Sequence, residues 1–574
     1  MNNILLMFLS MDKIFLRLVS AFYPILAKTG VDTEQLNEIL RVKLLMDTRR
    51  PKAMFATRKS AQNNKGQQSP ILISFFTLLM GFFIGLILIV SKAPYVGETF
   101  YFIVFMVLMA LTLISDFTTV LIDTRDQFII LPRPVSDRTI AVSRIMHISI
   151  YVLRLALLQG LPALIIVGFV DGIWAVPIFF IQILEATFLS IFMVNVIYLL
   201  LMKVVSPQRF KDIISYFQIG FSIIIFATYY LLPRLIDISV LGNIQLLSHW
   251  WAYLLPPVWI AALNESLIHA TRADMITRIL AIVGFTTPAV GLWFVAKVLA
   301  PGFNRRLSVI ATSDGNSNTT GKVKKAGRFN LIEKLSNLVA SDPVENAGFR
   351  ITWKLAARTR EFKMKVYPAF AYVPIYFLYF ALNGKGDSLS DRIDKLQAGH
   401  TYVFLIYLCT FILSSILMNI SMSEKYKSAW VYYALPIGAP GKILSGMYKA
   451  IIVLYFLPYC LVLSIGIIAI WGPAAINDLI LAFLISLIYG ILMALFMVKG
   501  LPFSNPVVVK QGGGKMITSL MILLFIGGIG FGHYFLMRWE NVVWICIIPA
   551  LLINWVMFRY YKRQTWDNIE LSEI

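Results

Sequence analysis

One stretch of the chain, Gly512–Lys515 with the sequence GGGK, has residue types that could bind a phosphate group. Backbone N–H groups of a glycine-rich loop and a lysine ammonium bind nucleotide phosphates together, but a Walker A loop needs G-x-x-x-x-G-K-[ST] after a strand. Here Met516 follows the lysine, and an apolar run follows Met516. We therefore interpret the stretch as a flexible turn and expect no ATP to bind to this chain directly.

Residues that bind metals or act in catalysis are scattered. Helical zinc sites need HxxxH or HExxH spacing, and the histidines do not have it. They are His147, His249, His269, His400 and His533. No Ser/His/Asp grouping lies on one face of one segment, and the cysteines, Cys409, Cys460 and Cys546, all lie in apolar runs. We expect no enzyme activity, no directly bound cofactor and no metal from the chain itself.

The composition indicates the class of protein. Hydrophobic residues make up 58% of the 574 residues, charged residues make up 14%, and the mean hydropathy is +0.76, which is well outside the range of soluble domains. A helix needs about 20 apolar residues to cross a bilayer, and about twelve such runs are present. They lie near residues 71–91, 100–122, 145–169, 174–202, 214–232, 279–300, 366–383, 401–422, 447–471, 475–498, 517–537 and 541–558. Because backbone groups in lipid must be bonded internally, the expected fold class is an all-α polytopic membrane protein with about 12 transmembrane helices.

The net charge of +21 has an uneven distribution. Lysine and arginine are concentrated in alternate loops, at residues 41–65, 125–144, 203–211, 305–365, 425–442, 499–515 and 559–563. This is the positive-inside pattern, which predicts cytoplasmic termini and a multi-pass protein of the cell (inner) membrane. The excess charge is attributed to topology and to anionic lipid headgroups, so no nucleic-acid partner is expected.

Two segments that precede apolar runs resemble each other. Asp32 is a candidate N-cap residue, with Gln35 in position to bond back to it. Asp342 is the second candidate cap, followed by Pro343 at the first helical position and by Glu345. The two helices also share an equally spaced motif, Lys43-Leu44 with Thr48-Arg49 in the first and Lys354-Leu355 with Thr359-Arg360 in the second.

A loop between apolar runs also recurs. It extends from Asp123 to Arg144, and again from Ser423 to Gly446. In each copy an aromatic residue stands three positions before a Leu-Pro pair, and a second proline follows. These residues are Phe128, Leu131, Pro132 and Pro134 in the first copy and Tyr432, Leu435, Pro436 and Pro440 in the second. Two separate repeated segments predict a duplicated six-span unit, with the halves as parallel repeats.

The expected organisation follows the repeat. Residues 1–65 are cytoplasmic or interfacial amphipathic helices, 66–300 the first six-span half, 301–341 a flexible cytoplasmic linker, 342–365 the second amphipathic helix, 366–560 the second half and 561–574 a cytoplasmic tail. Within the first segment, residues 11–28 form an amphipathic helix. Two placements of that helix remain open, one in the membrane interface and one packed on cytosolic parts of the chain.

The first half has two further features. Pro233–Arg278 is apolar and rich in tryptophan but is broken at Pro256-Pro257, which predicts a pair of short re-entrant or interfacial helices. Trp250, Trp251 and Trp259 would lie at headgroup level. Arg154 and Glu185 fall inside the third and fourth spans. They either line a translocation path or form a buried pair that fixes helix packing.

This arrangement resembles the permease subunits of ABC-2 type ATP-binding cassette exporters, in a form with two fused halves. The resemblance covers most of the chain. It consists of the amphipathic helix at Asp32–Arg50, the basic Leu-Pro loop between spans two and three, and the broken outer segment with PPVWIAAL. The short Arg538–Asn541 loop in the second half departs from that plan.

The resemblance implies that each Leu-Pro loop forms a coupling helix that docks on a separate ABC-type ATPase subunit, with two ATPase copies per fused permease. The residues that would contact the ATPase are Arg125, Phe128, Leu131, Pro132, Arg133, Pro134, Arg138, Lys425, Tyr432, Leu435, Pro436, Pro440 and Lys442. ATP would then act only through this partner subunit. The other reading of these residues is that they are ordinary positively charged inner loops.

The alternative function is an ion-coupled secondary transporter of the major facilitator type, which also has six plus six spans and a long central loop. The loop after the second span lacks the Asp-Arg-Gly-Arg pattern usual in those proteins. Such a carrier should also have more intramembrane ionisable groups than Arg154 and Glu185. An exporter permease is therefore the preferred prediction.

Overall fold

The structure is a computed structural model. It describes residues 15–17, 19–20, 23–28, 30–49, 70–90, 95–116, 134–205, 207–235, 246–271, 273–294, 327–382, 397, 400, 402–423, 425–506 and 527–569. Within these ranges the secondary structure is helical, apart from an isolated bridge between Met422 and Asn505. The chain divides into two compact units. Unit 1 comprises Met1–Pro51, Gln67–Ile214 and Ile236–Thr319, and unit 2 comprises Lys52–Gly66, Ser215–Leu235 and Thr320–Ile574.

The first part of the chain forms nine helices within the described ranges, and most of them are long and apolar. They are α1 Tyr23–Lys28, α2 Thr33–Arg49, α3 Pro70–Val90, α4 Val96–Asp116, α5 Asp137–Val170, α6 Ala175–Val204, α7 Pro207–Leu235, α8 Pro256–Leu267 and α9 Met275–Phe294. Short 3₁₀ turns at Leu246–Ser248 and Trp250–Leu254 precede α8. Residues 215–235 of α7 belong to unit 2, although the sequence predicts them within the first half. There Tyr230 packs on Tyr376, whose hydroxyl donates to the Tyr230 hydroxyl at 2.9 Å.

The helices of the second part are more broken. They are α10 Gly327–Val339, α11 Pro343–Arg358, α12 Arg360–Val366, α13 Tyr372–Ala381, α14 Tyr402–Leu408, α15 Thr410–Asn419, α16 Trp430–Ala434, α17 Gly441–Ile451, α18 Leu457–Trp471, α19 Ile476–Met497 and α20 Glu540–Lys562. Residues 527–536 are also helical. A π-helical turn, Ile452–Phe456, joins α17 to α18 just before Pro458. The proline accounts for this turn because it lacks the N–H that a regular α-helical bond would need.

Seven helical segments within the described ranges are long and apolar enough to cross a membrane. They are Val96–Ile114, Met146–Val170, Ala175–Tyr198, Tyr402–Asn419, Gly441–Trp471, Pro473–Met497 and Glu540–Lys562. Shorter apolar helices lie at Thr77–Ile89, Asp212–Thr228 and Met275–Gly291. All of these segments overlap apolar runs found in the sequence. The chain is therefore a multi-pass helical membrane protein.

The amphipathic N-terminal segment packs inside unit 1. Phe15 and Val19 are buried in one apolar cluster with Leu36 and Leu40 of α2 and with Ile150 of α5. Phe15 and Val19, the described residues of this apolar face that are buried, are thus covered by other parts of unit 1.

The segment around Pro256-Pro257 forms 3₁₀ turns and one α-helix. Leu255 is extended and precedes α8, which has its prolines in the first turn, where a missing N–H costs nothing. Trp250 and Trp251 are exposed. Trp259 is instead half-buried, and its indole N–H donates to the Tyr253 carbonyl at 2.7 Å. Trp259 therefore stabilises the break, and the placement of the three tryptophans at headgroup level stays a prediction.

Both predicted N-caps are present. Asp32 Oδ1 accepts from the backbone N–H groups of Glu34 at 3.0 Å and Gln35 at 3.1 Å. Asp342 Oδ1 accepts from those of Val344 at 3.0 Å and Glu345 at 3.4 Å. Each capped helix packs on a later helix of its unit, α2 on α5 and α11 on α17.

The bond from Gln35 back to its cap is absent. The Gln35 side-chain amide instead donates to the Pro134 carbonyl at 3.5 Å, and the Asp32 N–H donates to Thr139 Oγ1 at 3.1 Å. The reciprocal part of the predicted capping box is therefore replaced by contacts to α5 and the residues before it.

Part of the predicted flexible linker is helical. α10 occupies 327–339, where the sequence predicted no regular structure. Arg350 of α11 stabilises it by donating to Ser336 Oγ at 2.9 Å and by pairing with Glu333 at 3.3 Å. These partners lie in the following helix, so the local pattern of the linker does not reveal them.

Glycines allow α11 and α17 to approach closely. A Cβ atom at Gly446 would clash with the Glu345 carbonyl oxygen, and one at Gly348 would lie 2.8 Å from the Ile443 carbonyl oxygen. Real Cβ atoms do not come this close to backbone. The interface between the capped helix and the long helix therefore requires both glycines.

Gly446→Ala is expected to destabilise the protein by about 2–3 kcal/mol, because the methyl group forces two backbones apart. The matched control is Gly466→Ala in α18, where an added Cβ meets no atom within 4 Å. That variant should be neutral or up to about 1 kcal/mol more stable, since alanine favours helix. Unfolding free energies in mixed micelles test the pair. Equal effects at the two positions would contradict the close approach.

Candidate functional site

Most of the first Leu-Pro loop lies outside the described residues. This applies to Arg125, Phe128, Leu131, Pro132 and Arg133. Pro134 and Arg138 are described, and both are exposed. The Pro134 carbonyl accepts the bond from Gln35, and the Arg138 guanidinium lies beside Gly30. The end of this loop is thus attached to the N-terminal helices of unit 1.

The second loop is described almost completely. A 3₁₀ turn, Tyr426–Ala429, leads into the short helix α16. Apolar side chains of α16 and the residue after it are exposed, Trp430 by 57%, Val431 by 43% and Leu435 by 53%. Lys425, Lys427 and Pro436 are exposed beside them. We call the exposed residues Lys425, Lys427, Trp430, Val431, Leu435 and Pro436 the α16 surface.

Two residues of the predicted contact set, Tyr432 and Pro440, are buried. Tyr432 is buried in the main core of unit 2, and its hydroxyl has no hydrogen-bond partner within the described ranges. It therefore anchors α16 from below, and its neighbours Trp430 and Val431 form the accessible face. Of these three neighbouring residues, the sequence analysis named only the buried Tyr432 as a contact residue.

The C-terminal residues hold the loop after α16. The Trp566 indole N–H donates to the Ile437 carbonyl at 3.2 Å, and the Gly441 N–H donates to the Gln564 carbonyl at 3.2 Å. A Cβ at position 441 would lie 2.7 Å from the Gln564 backbone nitrogen. Residues of the predicted cytoplasmic tail therefore fix the proline-bounded end of the loop.

Ion pairs join this loop to the capped helix α11. Lys442 at the start of α17 lies 2.7 Å from Asp342 Oδ2. The hydrogen bond from Lys442 holds the pKa of Asp342 below its ordinary value of 3.8. Lys442 belongs to the predicted contact set, but its ammonium is engaged within the chain.

The strongest charged cluster of unit 2 centres on Glu345. Its carboxylate is 1% exposed and accepts from Ser445 Oγ at 2.5 Å, from Lys449 Nζ at 2.7 Å and from Lys562 Nζ at 2.6 Å. Burial opposes ionisation, but these three donors outweigh it and lower the pKa of Glu345 below 4.5. The cluster joins α11 to α17 and to the end of α20.

Unit 1 has a buried polar cluster at the start of α4. Gln182 Nε2 donates to Glu98 Oε2 at 3.0 Å and to the Ile260 carbonyl at 2.7 Å. Asn264 Nδ2 donates to Glu98 Oε1. One carboxylate therefore connects α4, α6 and α8, which explains why the short helix α8 is held against longer ones. The sequence placed Glu98 in a mixed loop, and nothing local identified its partners.

Glu185 has a different environment. Glu185 is 5% exposed, and neither of its carboxylate oxygens has a hydrogen-bond partner among the described residues. Arg154 is half-buried and is not bonded to it. The two charges singled out in the sequence therefore do not form the packing pair that was one of the two interpretations.

Unit 2 contains a buried polar chain that the sequence analysis missed. Tyr402 donates to Asp478 Oδ2 at 2.5 Å, and His533 Nε2 lies 3.1 Å from Asp478 Oδ1. Tyr407 Oη lies 2.9 Å from His533 Nδ1. All four residues are at most 4% exposed. In the sequence, the only local indications of these contacts were an aspartate and a histidine inside apolar runs.

Comparisons with known proteins identify no relative. No protein-family model, no curated protein and no solved structure matches the chain.

Glu345→Gln is expected to destabilise the protein by about 3 kcal/mol at neutral pH, because it leaves Lys449 and Lys562 without their counter-charge. A carboxylate with a lowered pKa stabilises the folded state above its ordinary pKa of 4.5, and this contribution disappears as the pH falls through the lowered value. Wild type should therefore lose stability on acidification, and the variant should lose less.

The control for this prediction is Glu333→Gln. Glu333 pairs with Arg350 at 3.3 Å, but its side chain is 53% exposed, so its loss should cost less than about 1 kcal/mol. Thermal unfolding of the three proteins as a function of pH provides the measurement. An equal loss in both variants would show that the Glu345 cluster behaves as a surface pair.

Glu185→Leu is expected to stabilise the protein by about 1–3 kcal/mol, because an unpartnered buried carboxyl is replaced by an apolar group of similar size. The control on the same helix is Gln182→Leu, which removes bonds to Glu98 and Ile260 and should destabilise by a similar amount. Unfolding in mixed micelles measures both. A destabilised Glu185→Leu would mean that the carboxyl has a stabilising partner.

Proposed function

We propose that the chain is the transmembrane permease subunit of an ATP-binding cassette exporter in the cell (inner) membrane, driven by a separate ATPase subunit. In this proposal the chain has twelve spans in two parallel six-helix repeats and cytoplasmic termini. Two ATPase copies serve one chain. The transport cycle uses ATP only through that partner.

The observation that carries the proposal is the α16 surface. A monomeric surface helix seldom exposes a tryptophan, a valine and a leucine together, and aromatic anchors are the residues that dominate protein interfaces. Lys425 and Lys427 flank the apolar face. The α16 surface would fit into a groove of an ATPase subunit, provided that the groove has an apolar floor and an acidic rim.

The contacts below α16 support a role in transmitting force. Trp566 and Gln564 hold the end of the loop, Lys442 joins it to the cap of α11, and Glu345 joins α11 to α17 and α20. A displacement of α16 would thus move three helices together. Buried charge clusters suit this task, because breaking one costs several kcal/mol.

A second candidate function, ion-coupled secondary transport of the major facilitator type, is favoured by Glu185. A buried carboxyl without a hydrogen-bond partner is expensive in a membrane span and commonly marks a substrate or ion path. Under this function the chain alone would transport its substrate in vesicles with an ion gradient and without ATP. Transport that requires the ATPase would exclude it.

Trp430→Ala is expected to lower the amount of co-purifying ATPase subunit by about tenfold or more, since a tryptophan at the centre of an interface is worth about 2 kcal/mol. The matched control is Trp539→Ala. Trp539 is 61% exposed and lies in the loop predicted on the outer side. Both proteins are isolated from native membranes in mild detergent, and retained ATPase and ATP hydrolysis are measured.

Loss of the ATPase from Trp430→Ala but not from Trp539→Ala would support docking at the α16 surface. Retention in both would reject this surface as the docking site. A wild-type chain that isolates without any protein containing a Walker A motif, and without ATP hydrolysis, would reject the exporter proposal itself.

A further inference from the structure

We propose that Asp478 and His533 form a proton-binding site inside unit 2 that takes up one proton and is completed by Tyr402 and Tyr407. The site is separate from the α16 surface and from the Glu345 cluster. It needs neither a bound nucleotide nor a partner subunit.

The geometry defines the donors and acceptors. Asp478 lies in the first turn of α19, where the helix dipole favours a negative charge. Its Oδ2 accepts from Tyr402, and its Oδ1 faces His533 Nε2. An ionised carboxylate only accepts hydrogen bonds, so with Asp478 ionised His533 carries a hydrogen on Nε2 and donates it.

The other ring nitrogen can then exist in two forms. In neutral His533, Nδ1 is an acceptor and the Tyr407 hydroxyl donates to it across 2.9 Å. When Nδ1 takes a proton from water, a new N–H bond forms and the imidazole becomes a cation. The Tyr407 hydroxyl stops donating, and its oxygen accepts the new N–H instead. The contact can therefore be kept with only a rotation of the hydroxyl hydrogen.

The charge balance favours this uptake. Before it, the pair of Asp478 and neutral His533 carries one negative charge at a position that is 3–4% exposed. After it, the pair is neutral overall and its hydrogen bond is charge-assisted. A buried charge without a counter-charge is costly. The added proton supplies the counter-charge.

Several described elements pack on the site and contribute side chains to it. α14 contributes Tyr402 and Tyr407, α19 contributes Asp478, and the 527–536 helix contributes His533. Trp471 at the end of α18 and His400 before α14 contact the ring of Tyr402, with ring centroids 5.4 Å and 6.2 Å away. His400 is exposed.

The site also has a mechanical consequence. His533 is the buried polar contact of the 527–536 helix, and its two nitrogens bridge α19 and α14. Conversion of the Asp478 contact into an ion pair strengthens the attachment of this helix. The proton is thus a ligand that binds between three helices and ties them together.

The test is nitrogen NMR of the full chain in lipid nanodiscs, with ¹⁵N in the imidazoles of its 5 histidines. A neutral imidazole gives two widely separated nitrogen signals, and a cation gives two similar ones. Spectra are recorded from about pH 5 to 8, where histidines change charge. His533 is assigned with His533→Gln. If that variant does not fold, the other four histidines are replaced singly and His533 is assigned by elimination.

The expected result is that His533 passes from the neutral Nε2–H form to the cation within this interval. In Asp478→Asn it should remain neutral throughout, because protonation would then bury an unpaired positive charge. Tyr534→Phe is the control, since Tyr534 adjoins His533 but its ring contacts Phe404 and Phe535. It should behave like wild type.

Two outcomes would overturn the inference. One is a wild-type His533 that stays in a single form throughout the interval. The other is an Asp478→Asn protein in which His533 becomes a cation as readily as in wild type. Because neither transport nor ATP hydrolysis is measured, both outcomes are independent of the proposed exporter function.

Discussion

The packing of α11, α17 and α20 in unit 2 depends on the buried carboxylate of Glu345. A single negative charge accepts from one serine and two lysines, and it does so at a point where Gly446 lets two helices come closer than any side chain would allow. The cluster is stable only if all partners are present, because removing one member leaves a charge without compensation. Helices α11, α17 and α20 therefore behave as one body at this end, and the loop that carries α16 is attached to that body by Trp566 and Lys442.

The sequence predicted the local features well, for a physical reason. The caps at Asp32 and Asp342 satisfy N–H groups two or three residues away, so a short pattern contains all the information. The apolar runs likewise predicted the long helices, since each must satisfy its own backbone in lipid. A short helix beside the second Leu-Pro pair was implied by the resemblance alone, and it is present as α16.

Contacts between distant residues could not be predicted in this way. The partners of Glu345 lie 100 and 217 residues away, and His533 lies 55 residues from Asp478. Each of these residues alone looks like an isolated polar group in an ordinary segment. The helix at 327–339 was missed for a related reason, because Arg350 of the next helix stabilises it. The contact of Trp566 in the tail was missed in the same way, because its acceptor, Ile437, lies 129 residues earlier.

Four buried carboxylates among the described residues fall into two kinds, and the difference bears on function. Glu98, Glu345 and Asp478 each accept bonds from at least two side chains of other helices, so their desolvation is offset and they connect helices. Glu185 has no such bonds within the described ranges, so its burial costs stability without joining anything. In the proposed permease the first kind transmits force through the bundle. Glu185 is then the residue of the fourth span whose chemistry is free to serve the transported substrate or ion.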